Sequence, residues 1–284
     1  YYAKDSGRNN YRAYEPEMNR RVINHMLMDT ALRDAMKNKE IYLVYQPLID
    51  LKKSKVVGFE ALMRWHSKVL GQVSPVDFIP LAEENGLILE MGEWALEEAC
   101  AQIVKWQKKG LKNLSVAVNI SGRQFRQTNL PDIVGRVLKK TGLQPKFLEL
   151  ELTESLLVDD VENVVDMMYA LKDMGTRLVI DDFGTGYSSL SYLKQFPVDK
   201  LKIDRSFITE MASDQNDAAI ARAIINLGHS LNLEVLAEGI ENEFQRDFIT
   251  LHGCDFAQGY LFKIPDTPDN IFEFLKGLPQ SKIN

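Results

Sequence analysis

Apolar runs of strand length alternate with stretches of helical period along almost the whole of this chain, and that alternation leaves few folds open. The strand candidates are IYLVYQPLID (41–50), KVVGFEALMRW (55–65), LSVAVNI (114–120), FLELELT (147–153), RLVID (177–181), VDKLKID (198–204), EVLAEG (234–239) and DFAQG (255–259). Helical segments fall near 91–109, 130–141, 159–174, 188–195, 215–232 and 241–251, several ending on a glycine such as Gly110, Gly142 or Gly175. Eight strands interleaved with helices predict an α/β fold, a TIM-like (β/α)8 barrel. With 284 residues, 45% of them hydrophobic, the chain has the core for one barrel of roughly 250 residues. The KKS link at 52–54 is too short for a helical crossover, so an antiparallel first strand is expected.

Side chains in a barrel strand alternate between the interior and the helix-facing side. In FLELELT, Leu148, Leu150 and Leu152 share one face and leave Glu149, Glu151 and Thr153 on the other. In KLKID, Leu201 and Ile203 oppose Lys200, Lys202 and Asp204. If the leucines meet the helices, the charges point inward. A solvated antiparallel sheet gives the same alternation in any one strand. Yet Glu60, Asn119, Glu151, Asp181, Lys202, Glu238 and Gln258 each fall at or near the C-terminal end of a different strand, where barrel enzymes assemble active sites.

The run DDFGTGYSSL at 181–190 sharpens this reading, because two adjacent acids end an apolar strand and a glycine-bearing loop follows. An ordinary turn can also begin with Asp-Asp; the company of the pair is what argues for metal. Five carboxylates (Glu60, Glu151, Asp181, Asp182 and Glu238) converging with the amide of Asn119 resist ionisation unless cations offset their repulsion. All are hard oxygen donors, and His25, His66, His229 and His252 show no ligand spacing, so Mg²⁺ or Mn²⁺ is favoured over Zn²⁺. Two such ions about 3.5–4 Å apart suit phosphodiester cleavage. Lys202 then orients water or neutralises developing charge; a plain buried salt bridge is its alternative.

Acids outnumber bases 40 to 34, giving a net charge of −6, which argues against a nucleic-acid polymer as partner. Cys100 and Cys254 are too few for a disulfide framework and fit a reducing cytosol. No apolar run approaches the roughly 20 residues that span a bilayer. The expectation is a soluble, cytoplasmic chain without membrane contact of its own, although a longer parent protein could be membrane-anchored.

The tripeptide EAL stands at 60–62 within GFEALMRW. Around it lie YQPLIDL (45–51), FIPLAEENGLI (78–88), VNIS (118–121), ELTES (151–155), DDFGTGYSSL (181–190), LKIDRSFI (201–208), AEGIE (237–241) and GCDFAQGYLF (253–262). A bare EAL occurs by chance in many helices; ordered blocks from about Ile41 to Pro265 do not. The chain resembles the EAL-domain cyclic-di-GMP phosphodiesterases. The resemblance implies that Glu60, Asn119, Glu151 and Asp181 hold one metal, with Asp181 bridging to a second that Asp182 helps to bind. It also implies that Glu238 assists at the second metal or acts as general base, and that Lys202 positions the nucleophile. Gln46, Leu62 and Arg64, and further Asp204, Glu241, Gln258 and Tyr260, are the implied contacts to the dinucleotide. Glu154 is implied to steady the loop after Asp182. The implied reaction opens one phosphodiester of cyclic-di-GMP to linear pGpG; Ca²⁺, with longer bonds and irregular coordination, is expected to inhibit it. KIP at 263–265 departs from many relatives, which carry a small or basic residue before the proline.

Residues 1–19 resemble the closing strand and helix end of a GGDEF diguanylate-cyclase domain, with 20–39 as a linking helix and 40–284 as the barrel. On this reading the chain belongs to a tandem GGDEF–EAL parent, and Ile23, Leu27, Leu32, Ala35 and Met36 dock the helix on the barrel. A native N-terminal extension is the alternative. The resemblance also implies a homodimer, with its contact near 186–196 and 207–225; Phe183, Tyr187 and Leu190 make the loop at 183–190 a switch, unless Phe183 and Tyr187 simply fill the barrel rim. The alternative function is a cyclic-di-GMP receptor with little turnover.

Overall fold

The computed structural model describes residues 16–157, 161–186, 193–279 and 282. Nine strands form one sheet: β1 (Ile41–Asp50), β2 (Lys55–Ser67), β3 (Gly71–Val73), β4 (Ser115–Ile120), β5 (Leu148–Thr153), β6 (Arg177–Phe183), β7 (Lys200–Ile203), β8 (Glu234–Ala237) and β9 (Phe256–Ala257). Eight of them close in the order β1-β9-β8-β7-β6-β5-β4-β2, and β1 pairs back onto β2. β1 runs antiparallel to both β2 and β9, and the other barrel neighbours are parallel. The expected barrel with its inverted first strand is therefore present. The short link after Asp50 permits only a hairpin there.

The strand expectations survive within a few residues, apart from β2, which continues beyond the barrel to Ser67 and pairs with β3. Glu60 and Gln46 consequently lie mid-strand and face each other in the β1–β2 ladder. Helices Ile88–Lys108, Leu130–Thr141, Val161–Asp173, Gln215–Ser230 and Glu243–Leu251 match five of the expected segments. Most of the sixth, 188–195, lies outside the described residues. Helices Pro75–Asn85 and Pro268–Gly277 were not foreseen. Each opens on a proline, a residue tolerated at a first helical turn.

The helix Pro16–Ala35 falls on the expected linker, while residues 1–15, including most of the segment that resembles a cyclase tail, lie outside the described residues. Leu32 and Ala35 are buried with Trp65 and Phe78. Ile23 and Leu27 are about half exposed, at 53% and 50%, which corrects the expectation that they dock. The surface formed by Trp65, Phe78 and their neighbours reaches only the C-terminal half of the helix.

Leu148, Leu150, Leu152, Leu201 and Ile203 are fully buried in the layer between barrel and helices. Their polar neighbours turn inward. At the N-terminal end, Lys200 Nζ lies 2.5 Å from Glu149 Oε2, Ser115 Oγ donates to Glu149 Oε1 at 3.1 Å, and Arg177 pairs with Glu234 at 2.5 Å. Burial opposes charge on Glu149, but Lys200 and Arg177 outweigh it and hold the carboxyl below its ordinary range. An apolar belt of Leu48, Ala117 and Leu236 follows, and the second ionic layer sits above it. Lys200→Met should leave Glu149 charged and buried, costing about 3–5 kcal/mol. Urea titrations should find the double variant Glu149→Leu/Lys200→Met recovering most of that loss; equal loss in both would contradict the pairing.

Candidate active site

Lys202 organises the upper layer. Its ammonium is wholly buried and lies 2.6 Å from Glu238 Oε1, 3.1 Å from both Glu151 Oε2 and Asp181 Oδ1, and 3.6 Å from Glu60 Oε2. Four carboxylates, three on β2, β5 and β6 and one just after β8, share one cation. Burial works against charge on Lys202, yet these carboxylates outweigh it and hold the ammonium firmly protonated. The acids divide. Glu60 is held low, because Lys202 and donation from Gln258 and Asn119 outweigh its burial. Burial raises Glu151 and Asp181, and the neighbouring carboxylates add to the effect despite Lys202.

Adjacent residues on a regular strand point to opposite faces, so Asp181 and Asp182 should diverge. A bulge prevents this. Ile180 pairs with Leu201 and Phe183 with Ile203, which leaves the two aspartates opposite the single residue Lys202. Asp182 takes φ 55°, a left-handed backbone that Asp tolerates better than most residues, and its N–H donates to Asp181 Oδ1 at 2.9 Å. Carboxylate oxygens of Asp181, Asp182 and Glu238 thereby come within 4.8 Å of one another, as do those of Glu60, Glu151 and Asp181. Asp181 belongs to both groups.

Glu154, buried at the end of β5, accepts from the Gly184 N–H at 2.7 Å and so fastens the backbone just after the bulge. A side chain at Gly186 would start 2.9 Å from the same carboxylate. Phe183 is buried in the main core; Tyr187 and Leu190 lie outside the described residues.

The oxygen-only donor set fits hard divalent cations. Glu151 Oε2 is buried and accepts no hydrogen bond, although Lys202 is at ion-pair distance. Asn119 donates its Nδ2 to Glu60 Oε1 at 2.8 Å, which leaves its carbonyl oxygen for a metal. Neither cysteine takes part: both are buried, and burial pushes their thiols up to about 12.

Above the carboxylates opens a cleft of about 750 Å³. Gln46, Leu62, Arg64, Glu241, Gln258 and Tyr260 line it together with Glu60, Asp181 and Glu238. Asp204 does not line it; its carboxylate instead caps the Ser206 N–H at 3.0 Å and lies beside Asp182. Arg205, Thr209, Glu210 and Asp217 also line the cleft and were not foreseen. Arg205 directly follows the LKID strand and could have been found by its neighbourhood. The others are surface positions without a pattern of their own.

A family model described as the EAL domain matches residues 29–265. The chain belongs to the EAL domain family. This EAL domain is 44% identical over 265 residues to the bifunctional diguanylate cyclase/cyclic di-GMP phosphodiesterase MucR of Pseudomonas aeruginosa, covering 93% of the chain and 39% of that protein. It is 39% identical to the cyclic di-GMP phosphodiesterase PdeR of Escherichia coli, covering 93% of the chain and 40% of PdeR. The chain thus spans about two fifths of these relatives. Among solved structures, the PaMucR phosphodiesterase in its c-di-GMP complex superimposes with a TM-score of 0.84 at 43% identity, over 86% of this chain and 99% of that one. No helix among the described residues is long and apolar enough to cross a membrane.

Burial and the nearby Asp181 raise Asp182 to about 6, and burial, with Asp181 and Glu60 adding, raises Glu238 to about 8 against the opposing pull of Lys202. The folded EAL domain thus keeps protons that the unfolded chain releases near the ordinary values of 3.8 and 4.5. Stability of the metal-free domain should therefore fall as pH rises from about 4 to about 8, and Mn²⁺ should reverse the fall. Thermal melts across that range, with EDTA and with Mn²⁺, test this; a metal-free melting temperature that rises with pH would refute it.

Proposed function

We propose that this EAL domain hydrolyses one phosphodiester bond of cyclic-di-GMP to linear pGpG, using two Mg²⁺ or Mn²⁺ ions. The observation that carries this reading is the convergence of Glu60, Glu151, Asp181, Asp182 and Glu238 beneath a cleft large enough for a dinucleotide. Glu60, Asn119, Glu151 and Asp181 would hold the first ion, and Asp181, Asp182 and Glu238 the second. When bound, such ions lower the pKa of water and offset charge on the phosphoryl group.

The chain's own residues do the rest. Lys202, held among the carboxylates, orients the water and balances negative charge developing on the scissile phosphate. Glu238, 2.6 Å from Lys202, would assist at the second ion or act as general base toward that water. Arg64 on the cleft wall offers a planar guanidinium that pairs with phosphate or stacks on a base. Leu62 and Tyr260 supply apolar surface for guanine, and Glu241 an acceptor for its N–H groups. Glu154 keeps the loop after Asp182 in the geometry that both ions need. A receptor with little turnover has no observation in its favour, because every ligand position keeps its oxygen.

The relatives support the substrate, since MucR and PdeR are named for cyclic di-GMP hydrolysis. We further propose a parent chain that carries a GGDEF domain upstream, ending in residues 1–19, and a cytoplasmic site of action. Homodimer formation near 186–196 and 207–225 remains part of the proposal; residues 187–192 of that surface lie outside the described residues.

Separating nucleotides after incubation with cyclic-di-GMP should show pGpG with Mg²⁺ or Mn²⁺, and none in EDTA. Glu60→Ala and Asp181→Ala should lower kcat by at least about 10³-fold, in line with loss of electrostatic stabilisation at a reacting centre. Ca²⁺ should occupy the site and inhibit, since its bonds of about 2.3–2.6 Å and loose coordination spoil in-line geometry. Undiminished turnover by metal-stripped protein would overturn the mechanism. Glu154→Ala should lower metal affinity and activity together without unfolding the barrel, as circular dichroism would check.

A further inference from the structure

Gln46 and Gln258 line the cleft, and their resemblance-based role is contact with the dinucleotide. Their hydrogen bonds run elsewhere. Gln258 Nε2 donates to Glu60 Oε2 at 2.5 Å and to Gln46 Oε1 at 2.8 Å. Gln46 Nε2 in turn donates to the carbonyl of Lys263 at 3.1 Å. Both N–H bonds of Gln258 are therefore spent inside the protein, and both side chains are buried. The amide orientation is fixed by its partners: turned over, the oxygen of Gln258 would face two other oxygens.

The far ends of this chain of bonds are rigid. Gln46 sits opposite Glu60 in the β1–β2 ladder. The Gln258 N–H donates to Ala237 O at 2.9 Å, and its carbonyl accepts from Ile240 N–H at 3.0 Å. The next residue, Gly259, is pressed so tightly that an added Cβ would lie 2.1 Å from Ile240 O. Asn119 holds the other oxygen of Glu60 at 2.8 Å. The Glu60 carboxylate is thus gripped from both sides.

We propose that Gln46 and Gln258 act as one unit that positions Glu60 as a metal ligand, with Gln258 orienting the carboxylate and Gln46 orienting Gln258. The role rests on the two-metal reading above. Carboxylate ligands held by a hydrogen-bonded partner bind metal more tightly, and loss of such a partner costs about 10–100-fold in affinity. The carbonyl of Lys263 closes the relay through its backbone, so the change of side chain in the KIP segment leaves the relay intact. The one unpaired polar atom of the unit is Gln258 Oε1, which can accept from a ligand but leaves the donor side of the residue committed to Glu60.

Mn²⁺ alone is the probe. Isothermal calorimetry and the electron paramagnetic resonance of free Mn²⁺ should show Gln258→Met weakening Mn²⁺ binding about 10–100-fold and Gln46→Met weakening it less. The double variant should lose no more than Gln258→Met, because the two residues act in series. Methionine keeps the side-chain volume, and the milder Gln46→Met provides the comparison if Gln258→Met melts early. Any loss of affinity for cyclic-di-GMP measured in EDTA should be smaller than the loss of Mn²⁺ affinity, since both N–H groups of Gln258 and one of Gln46 are bonded within the protein. Unchanged Mn²⁺ affinity in Gln258→Met, or normal Mn²⁺ affinity with weakened dinucleotide binding, would overturn the role while leaving the two-metal reading intact. Wild-type protein without affinity for Mn²⁺ would overturn both.

Discussion

One ammonium group enclosed by four carboxylates sets the terms for the rest of this molecule. Taking a charge out of water costs several kcal/mol unless partners replace the solvent, and Lys202 has those partners in excess. The surplus negative charge must be held in place by the scaffold. A closed barrel supplies that rigidity, because the four acids around Lys202 lie on or directly after different strands, and no strand can yield without breaking a ladder on both sides. Burial and mutual repulsion raise Glu151, Asp181 and Glu238 above the ordinary carboxyl range, a repulsion that divalent cations would offset.

The two ionic layers of the interior show what this arrangement sacrifices. In the lower layer, Glu149 and Lys200 meet at 2.5 Å, with Arg177 and Glu234 completing the set. Cations and anions there are matched, and the layer stabilises the closed sheet. In the upper layer they are not matched. Such local conflict in a folded protein is expected where a site is kept ready for a ligand of opposite charge. Leu48, Ala117 and Leu236 lie between the layers and insulate the balanced network from the strained one.

A second device turns the end of one strand into a cradle. The β6 bulge and the left-handed Asp182 bring two neighbouring aspartates to the same side, and Glu154 pins the chain through Gly184 before it departs. Small shifts at that loop therefore act directly on Asp181, which belongs to both clusters of converging carboxylates. The grip of Gln258 and Asn119 on Glu60 plays the corresponding part on the opposite wall.

Much of this was legible in the sequence. The period-2 runs determined which residues face inward, so the leucines of β5 and β7 and their charged neighbours fell on the expected sides. The length of the KKS link determined the inverted first strand, since three residues cannot cross over a sheet. The acids and their strands were likewise readable. Tertiary structure decided what pattern cannot encode. Whether Asp181 and Asp182 converge depends on a register shift against β7, and pairing register is a property of two strands. Whether Ile23 and Leu27 find cover depends on how far a neighbouring surface extends. The Gln46–Gln258–Glu60 relay joins residues 212 and 198 positions apart, and hydrogen bonds between such distant side chains exist only once the barrel has closed.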